Sequence, residues 1–128
     1  MDIKNFFKPC QITKELEVSE RFHDENSKIC KFTIKSLSEI ENESLKAQSF
    51  DSNGNFNKQH YITNLICASV VYPNLADSEL QAYYNVLGKE KLIKTMLLSG
   101  EYAYLASEIQ KICGFKDDIF ESVDFLKN

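Results

Sequence analysis

Four conformational stops, Pro73, Gly88, Gly100 and Gly114, divide the stretch from Ser69 to Phe115 into short pieces, and most of those pieces carry apolar residues at helical spacing. A chain punctuated this way cannot build one long helix. It has to pack several short ones. Asp77 reads as an N-cap for a helix carrying Leu80, Tyr83, Tyr84 and Leu87 before Gly88 breaks the chain. Lys89 to Leu98 resumes with Leu92, Ile93, Met96 and Leu97 on one side, and Ser99-Gly100 reads as the junction that caps the next helix. There Tyr102, Leu105, Ala106, Ile109 and Ile112 recur at steps of three and four until Gly114, placed where a left-handed residue stops a helix. The same stretch has no His, no Gly-rich phosphate loop and no close pair of Cys.

Upstream the period is two. From Ile12 to Phe22 the apolar positions Ile12, Leu16, Val18 and Phe22 fall on one face of an extended chain, interrupted by Lys14 and Glu20. From Ile29 to Leu37 the residues Cys30, Phe32 and Ile34 alternate with Lys31, Thr33 and Lys35. The polar segment His23 to Lys28 joins these runs as the loop of a β-hairpin, whose apolar face needs cover from later helices. Ser38 and Glu41 fit a capping box that opens a short acidic helix to about Gln48. After the turn-rich Ser49 to Asn57, a helix from about Asn57 to Val71 presents Tyr61, Ile62, Leu65, Ile66, Ala68 and Val70, and Pro73 closes it. A last helix is predicted from Asp117 to about Leu126, with Ile119, Phe120 and Val123 on its apolar side.

These patterns predict an α+β fold, predominantly helical: an N-terminal β-hairpin followed by a compact bundle of five to six short helices. At 128 residues, 43% hydrophobic and 27% charged, the chain suits one domain with a real core. Residues 1–11 are expected to be flexible, 12–37 to form the hairpin and 38–128 the helical part.

Composition excludes several function classes. The net charge is -4, and Arg21 is the sole arginine, which disfavours phosphate recognition and hence nucleic acid. No run approaches the roughly 20 apolar residues that span a bilayer, and MDIKNFFKPC lacks the apolar core of a signal peptide. The expected location is therefore the cytoplasm, with no membrane partner. Cys10, Cys30, Cys67 and Cys113 are scattered without a C-x-x-C pair, which suits reduced thiols better than a zinc site.

Catalytic signals are equally sparse. Asp51 to Asn55 faintly resembles a calcium loop, but the glycine comes two places early and Ile62 stands where the bidentate acid belongs, so a flexible loop is expected. His23 sits in a polar turn and His60 at a helix start, where solvated imidazoles are the ordinary outcome. Glu39, Glu41 and Glu43 have nothing nearby to desolvate them, and no nucleophile elbow, Walker sequence or dinucleotide fingerprint occurs. No enzyme activity, cofactor or metal is expected.

Aromatic residues are the positive signal. Four of the six Tyr lie between Tyr83 and Tyr104. Adjacent helical residues are about 100° apart, so Tyr83 and Tyr84 cannot both face one core, and Tyr104 lies off the stripe of Tyr102, Leu105 and Ile109. Exposed Tyr gives large contact area at low entropy cost. Tyr72, Leu75, Tyr83, Tyr84, Leu98 and Tyr104, all near helix junctions, are the candidates for a partner surface.

As an ordered set of markers the sequence resembles the XkdN-like phage tail assembly chaperones, a family of phages and phage-derived tail elements in Gram-positive bacteria. The markers are ASVVYPNL, then Asp77 to Gln81, Tyr84 to Gly88, Leu92 to Leu98, Gly100 to Ala103, and Gly114-Phe115, with Ser19 to Glu43 resembling the family's hairpin and first helix. The chain departs from the pattern at Asn85, Cys113 and the loop from Ser49 to Tyr61. The resemblance implies a non-catalytic protein of the host bacterial cytoplasm that binds the tape measure protein, keeps it soluble and helps recruit tail tube subunits. It is then expected to leave the tail before the particle matures, and self-association is compatible with the role. A structural tail component retained in the particle, or a small regulatory interaction module, are the alternatives.

Overall fold

The computed structural model describes residues 2–116. Its sheet has three antiparallel strands in the order β1-β2-β3: β1 Thr13–Leu16, β2 Phe32–Lys35 and β3 Val70–Tyr72. Five α-helices accompany it among the described residues: α1 Glu39–Ala47, α2 Lys58–Ser69, α3 Ser78–Tyr83, α4 Lys89–Met96 and α5 Ser99–Ile112. The α+β class and the hairpin are as the sequence predicts. The helix predicted from Asp117 lies outside the described residues.

The first two strands pair from Thr13 opposite Lys35 to Leu16 opposite Phe32. The extended run predicted to Phe22 is shorter than its alternation suggests. Strand pairing stops at Leu16, and only Leu16 and Val18 are fully buried, while Ile12 is exposed. Residues 17–31 form a long connection closed by a single bridge between His23 and Ile29. Before β1, a 3-10 turn over Ile3–Phe6 has no buried residue, and the chain is clipped to the end of β2 by Ser36. The Ser36 hydroxyl donates to the Cys10 carbonyl at 2.7 Å and accepts the Ile12 N–H at 2.8 Å.

The third strand corrects the sequence reading. The apolar pattern of α2 runs on through Val70 and Val71, yet the helix ends at Ser69, with the Val70 N–H returning to the Ile66 carbonyl. Val70 and Tyr72 then pair with Ile34 and Thr33 across a bulge. The Ser69 hydroxyl donates to the Lys35 carbonyl at 2.7 Å, which ties the helix end to β2. Consecutive valines favour a strand as readily as a helix, and pairing with β2 decides between them.

α2 is the central helix, touching α1, α4, α5 and β3. Its residues from Tyr61 to Ile66 are all buried, as befits a helix packed on several sides. Leu92, Ile93 and Met96 of α4 join it in one core with Leu97 just after that helix and Leu105, Ala106 and Ile109 of α5. Among the described residues, buried side-chain polar atoms are partnered. The Thr63 hydroxyl donates to the Gln59 carbonyl at 3.0 Å and meets the Tyr102 hydroxyl at 2.9 Å. The Tyr61 hydroxyl donates to Asn42 on α1.

Cap residues set the helix limits. Ser38 and Glu41 form the predicted capping box, and Asn57 and Asp77 cap α2 and α3. At α5 the cap is Leu98, not the Ser99-Gly100 pair: the Glu101 carboxylate accepts the Leu98 N–H at 2.8 Å, and Ser99 opens the helix. α5 stops as predicted at Gly114, where φ is 91°, with the Phe115 N–H on the Gln110 carbonyl and the Gly114 N–H on that of Lys111. α3 stops before Gly88, at Asn85, whose φ of 58° sets the same two bonds from Val86 to Gln81 and from Asn85 to Ala82.

Candidate protein-interaction surface

The reactive side chains are scattered: Cys10 and Cys30 are exposed free thiols, and Cys67 and Cys113 are partly buried ones. His23 and His60 are exposed, and His23 Nδ1 lies 2.9 Å from the Asp24 carbonyl. The Asp51 carboxylate accepts the Asn53 and Asn55 N–H groups at 2.9 Å each, so the loop that faintly resembled a calcium site is a turn closed by its own aspartate. Glu41 is held below the ordinary carboxylate range by the Ser38 N–H it accepts. Burial pushes the Cys67 thiol up to about 11, and the Cys113 thiol also upward, which leaves both protonated and weakly nucleophilic. Among the described residues no cluster of three or more His, Cys, Asp or Glu could hold a metal ion, and no helix is long and apolar enough to cross a membrane.

The surface offers shape instead. Between β3 and α3 a groove of about 160 Å³ is lined by Phe22, Phe32, Tyr72, Pro73, Leu80, Tyr84 and Met96, together with Cys30 and Lys31. Ligand and cofactor pockets generally run from roughly 300 Å³ upward, so this depression suits a side chain or two of a partner. Tyr72 is 60% exposed and Tyr83 is 80% exposed, while Tyr84 is half-buried. The Tyr83 and Tyr84 rings meet edge to face at 4.8 Å, which fixes one against the groove and the other beside it.

The six sequence-predicted residues therefore divide. Tyr72 and Tyr84 line the groove and Tyr83 flanks it. Leu98, at the start of α5, and Tyr104, on the outer side of α5, are exposed but are not among its lining residues. Leu75 is a correction: it is only 2% exposed and belongs to the core, drawn in as the chain turns from β3 towards α3. Phe22, Pro73 and Met96 escaped sequence reasoning because they come from three separate segments. Leu87, 86% exposed, also escaped, because Asn85 ends α3 before the predicted stripe reaches it.

A clasp holds one side of this region. The Arg21 guanidinium binds the Glu101 carboxylate at two points, 3.1 Å and 2.5 Å, donates to the Met96 carbonyl at 3.0 Å and stacks over the Phe22 ring at 4.8 Å. Bonding to Arg21 first of all, and also to Ser19 and the Leu98 N–H, holds the Glu101 carboxyl down at about 2. Two groove residues, Phe22 and Met96, are thus fixed through one cation. A second tie lies on α5, where the buried Glu108 carboxylate takes Lys14 at 2.9 Å and Lys111 at 3.0 Å and is itself shifted downward by them.

The family model of the phage XkdN-like tail assembly chaperones matches residues 3–127. The chain belongs to that family. Two proteins of Bacillus subtilis strain 168 are similar along nearly the whole length. Phage-like element PBSX protein XkdN is 24% identical over 137 residues, covering 97% of this chain and 93% of its own. The uncharacterized protein YqbN is 26% identical over 137 residues, covering 97% of this chain and 92% of its own. The crystal structure of YqbN superposes with a TM-score of 0.78 at 22% identity, over 91% of this chain and 98% of that one, and so shares the fold.

Proposed function

We propose that this tail assembly chaperone binds the tape measure protein through the groove between β3 and α3, keeps it soluble and helps bring tail tube subunits to it. The observation that carries this reading is the groove itself, an aromatic depression open to solvent beside the exposed Tyr72 and Tyr83 on an acidic chain of a chaperone family. Tape measure proteins are long and rich in apolar stripes, and helix-in-groove packing covers such stripes one anchor at a time. A shallow seat gives modest affinity per contact, which repeats along the client and still permits release. The protein acts by binding, without catalysis, in the host cytoplasm, and leaves before the particle is complete.

Co-expression tests the reading. The tape measure protein is expected in the soluble fraction with this chain and in the pellet without it. Equal precipitation in the two cases overturns the proposal. A Tyr72→Ser, Tyr84→Ser variant that stays folded is expected to lose most of the protection.

A further inference from the structure

We propose that Cys10 and Cys113 form a modification site, a thiol pair that a low-molecular-weight disulfide oxidises to one intramolecular bond and that free thiols reopen. Both residues are held by neighbouring positions at the end of β2. The Ser36 hydroxyl donates to the Cys10 carbonyl at 2.7 Å, and the Leu37 N–H donates to the Cys113 sulfur. Consecutive Cα atoms are about 3.8 Å apart, so these two anchors bring the N-terminal segment and the end of α5 to one place. There a negative charge on Cys10 opposes one on Cys113, a repulsion that fades with distance. Cys10 is exposed, and Cys113 lines a cleft of about 220 Å³ with Leu37, Ser38 and Phe115, so neither sulfur is sealed in the core.

A disulfide asks for Cα atoms about 4.4–6.8 Å apart, and the N-terminal segment is the part that can adjust to it. Residues 2–15 are all exposed, so turning Cys10 towards α5 costs no core contact. The other thiols are placed elsewhere. Cys30 lines the β3–α3 groove beyond Phe32, which is itself about 13 Å along an extended strand from Ser36. Cys67 is half-buried on α2, where its charged neighbours are Glu90, Lys89 and Lys94. The chemistry is two successive exchanges. Cys10 gives its proton to solvent, attacks one sulfur of the small disulfide, breaks that S–S bond and expels one small thiolate, which leaves a mixed disulfide on Cys10. Cys113 then gives up its own proton and attacks the Cys10 sulfur, and the second small thiolate departs. Burial makes Cys113 a slow nucleophile, but held beside its target it needs no encounter in solution. The two released thiolates take up the two protons, so two protein thiols are oxidised and one small disulfide is reduced. The new bond closes most of the chain into one loop, and cross-links of long span stabilise most. This thiol pair lies outside the client groove and does not depend on client binding.

Oxidised glutathione tests the pair in the native full chain, with alkylation and digestion without reduction before mass spectrometry. The Cys10 and Cys113 peptides are expected to be joined, in a chain of monomer mass, and to separate with dithiothreitol. Glutathione left on Cys10 beside an alkylated Cys113, a bond to Cys30 or Cys67 in its place, or links only between chains overturn the proposal. Cys10→Ser, altered at an exposed position, supplies a second readout. Oxidation is expected to raise the denaturant midpoint of the parent, and that rise is expected to be lost in Cys10→Ser. A variant stabilised by oxidation as much as the parent overturns the proposal as well.

Discussion

α3 and α5 end in the same backbone motif yet hold very different places in the fold. Each is closed by a residue of positive φ, Asn85 or Gly114, and by the same pair of returning hydrogen bonds. α5 is 14 residues long and buries Leu105, Ala106, Glu108, Ile109 and Gln110, whereas α3 is six residues long and buries none completely. Capping therefore decides where a helix begins and ends, while burial decides how firmly it is held. The firmly held helix belongs to the core. The lightly held one, with its C-cap, supplies Leu80 and Tyr84 to the groove and Tyr83 beside it, and local openings of low cost are expected there.

The largest effect that can break this comparison comes from Ile109→Ala. Ile109 is fully buried, and truncation is expected to cost about 2–5 kcal/mol in denaturant unfolding. A loss below that range would mean that α5 is not the anchor described above.

A smaller effect, seen with pH, sharpens what fixes the start of α5. Glu101 titrates at about 2 in the folded chain against an ordinary value of 4.5, so its ionised form favours the folded state. That contribution is complete above about pH 4.5 and is lost as pH falls towards 2. Glu101→Gln is therefore expected to lower stability at neutral pH, and the gap from the parent should close between pH 4.5 and 2. A gap that stays constant through this window would show that Arg21 does not hold the carboxylate. The smallest effect is expected at Leu87→Ser, just past α3. With 86% exposure the change in unfolding free energy should lie within about 0.5 kcal/mol.

Local features were the legible ones. The Ser38–Glu41 box, the Asp77 cap and the Gly114 stop depend on residues within one turn of each other, and a sequence carries that information directly. β3 was not legible, because Val70 and Val71 fit both the helix before them and the strand they form, and the deciding partner lies in β2. Leu75 was misplaced for a related reason: nothing adjacent announces that the turn after Pro73 points inward. The groove was half legible. Tyr72, Tyr83 and Tyr84 stood out as surplus aromatics, whereas Phe22 and Met96 reach it only through tertiary folding, with Arg21 clasped to Glu101 across 80 positions.

The two charge ties have a consequence for how the chain takes shape as it is made. Lys14 meets Glu108 across 94 positions and Arg21 meets Glu101 across 80, so neither tie can form until the ribosome has released the chain as far as α5. The strands β1 and β2 lie within residues 13–35, so they can pair before either tie forms. Until α5 emerges, β1 lacks its Lys14 bond to that helix and the connection after it lacks its Arg21 bond. The order of translation thus leaves Lys14 and Arg21 waiting on a single late helix.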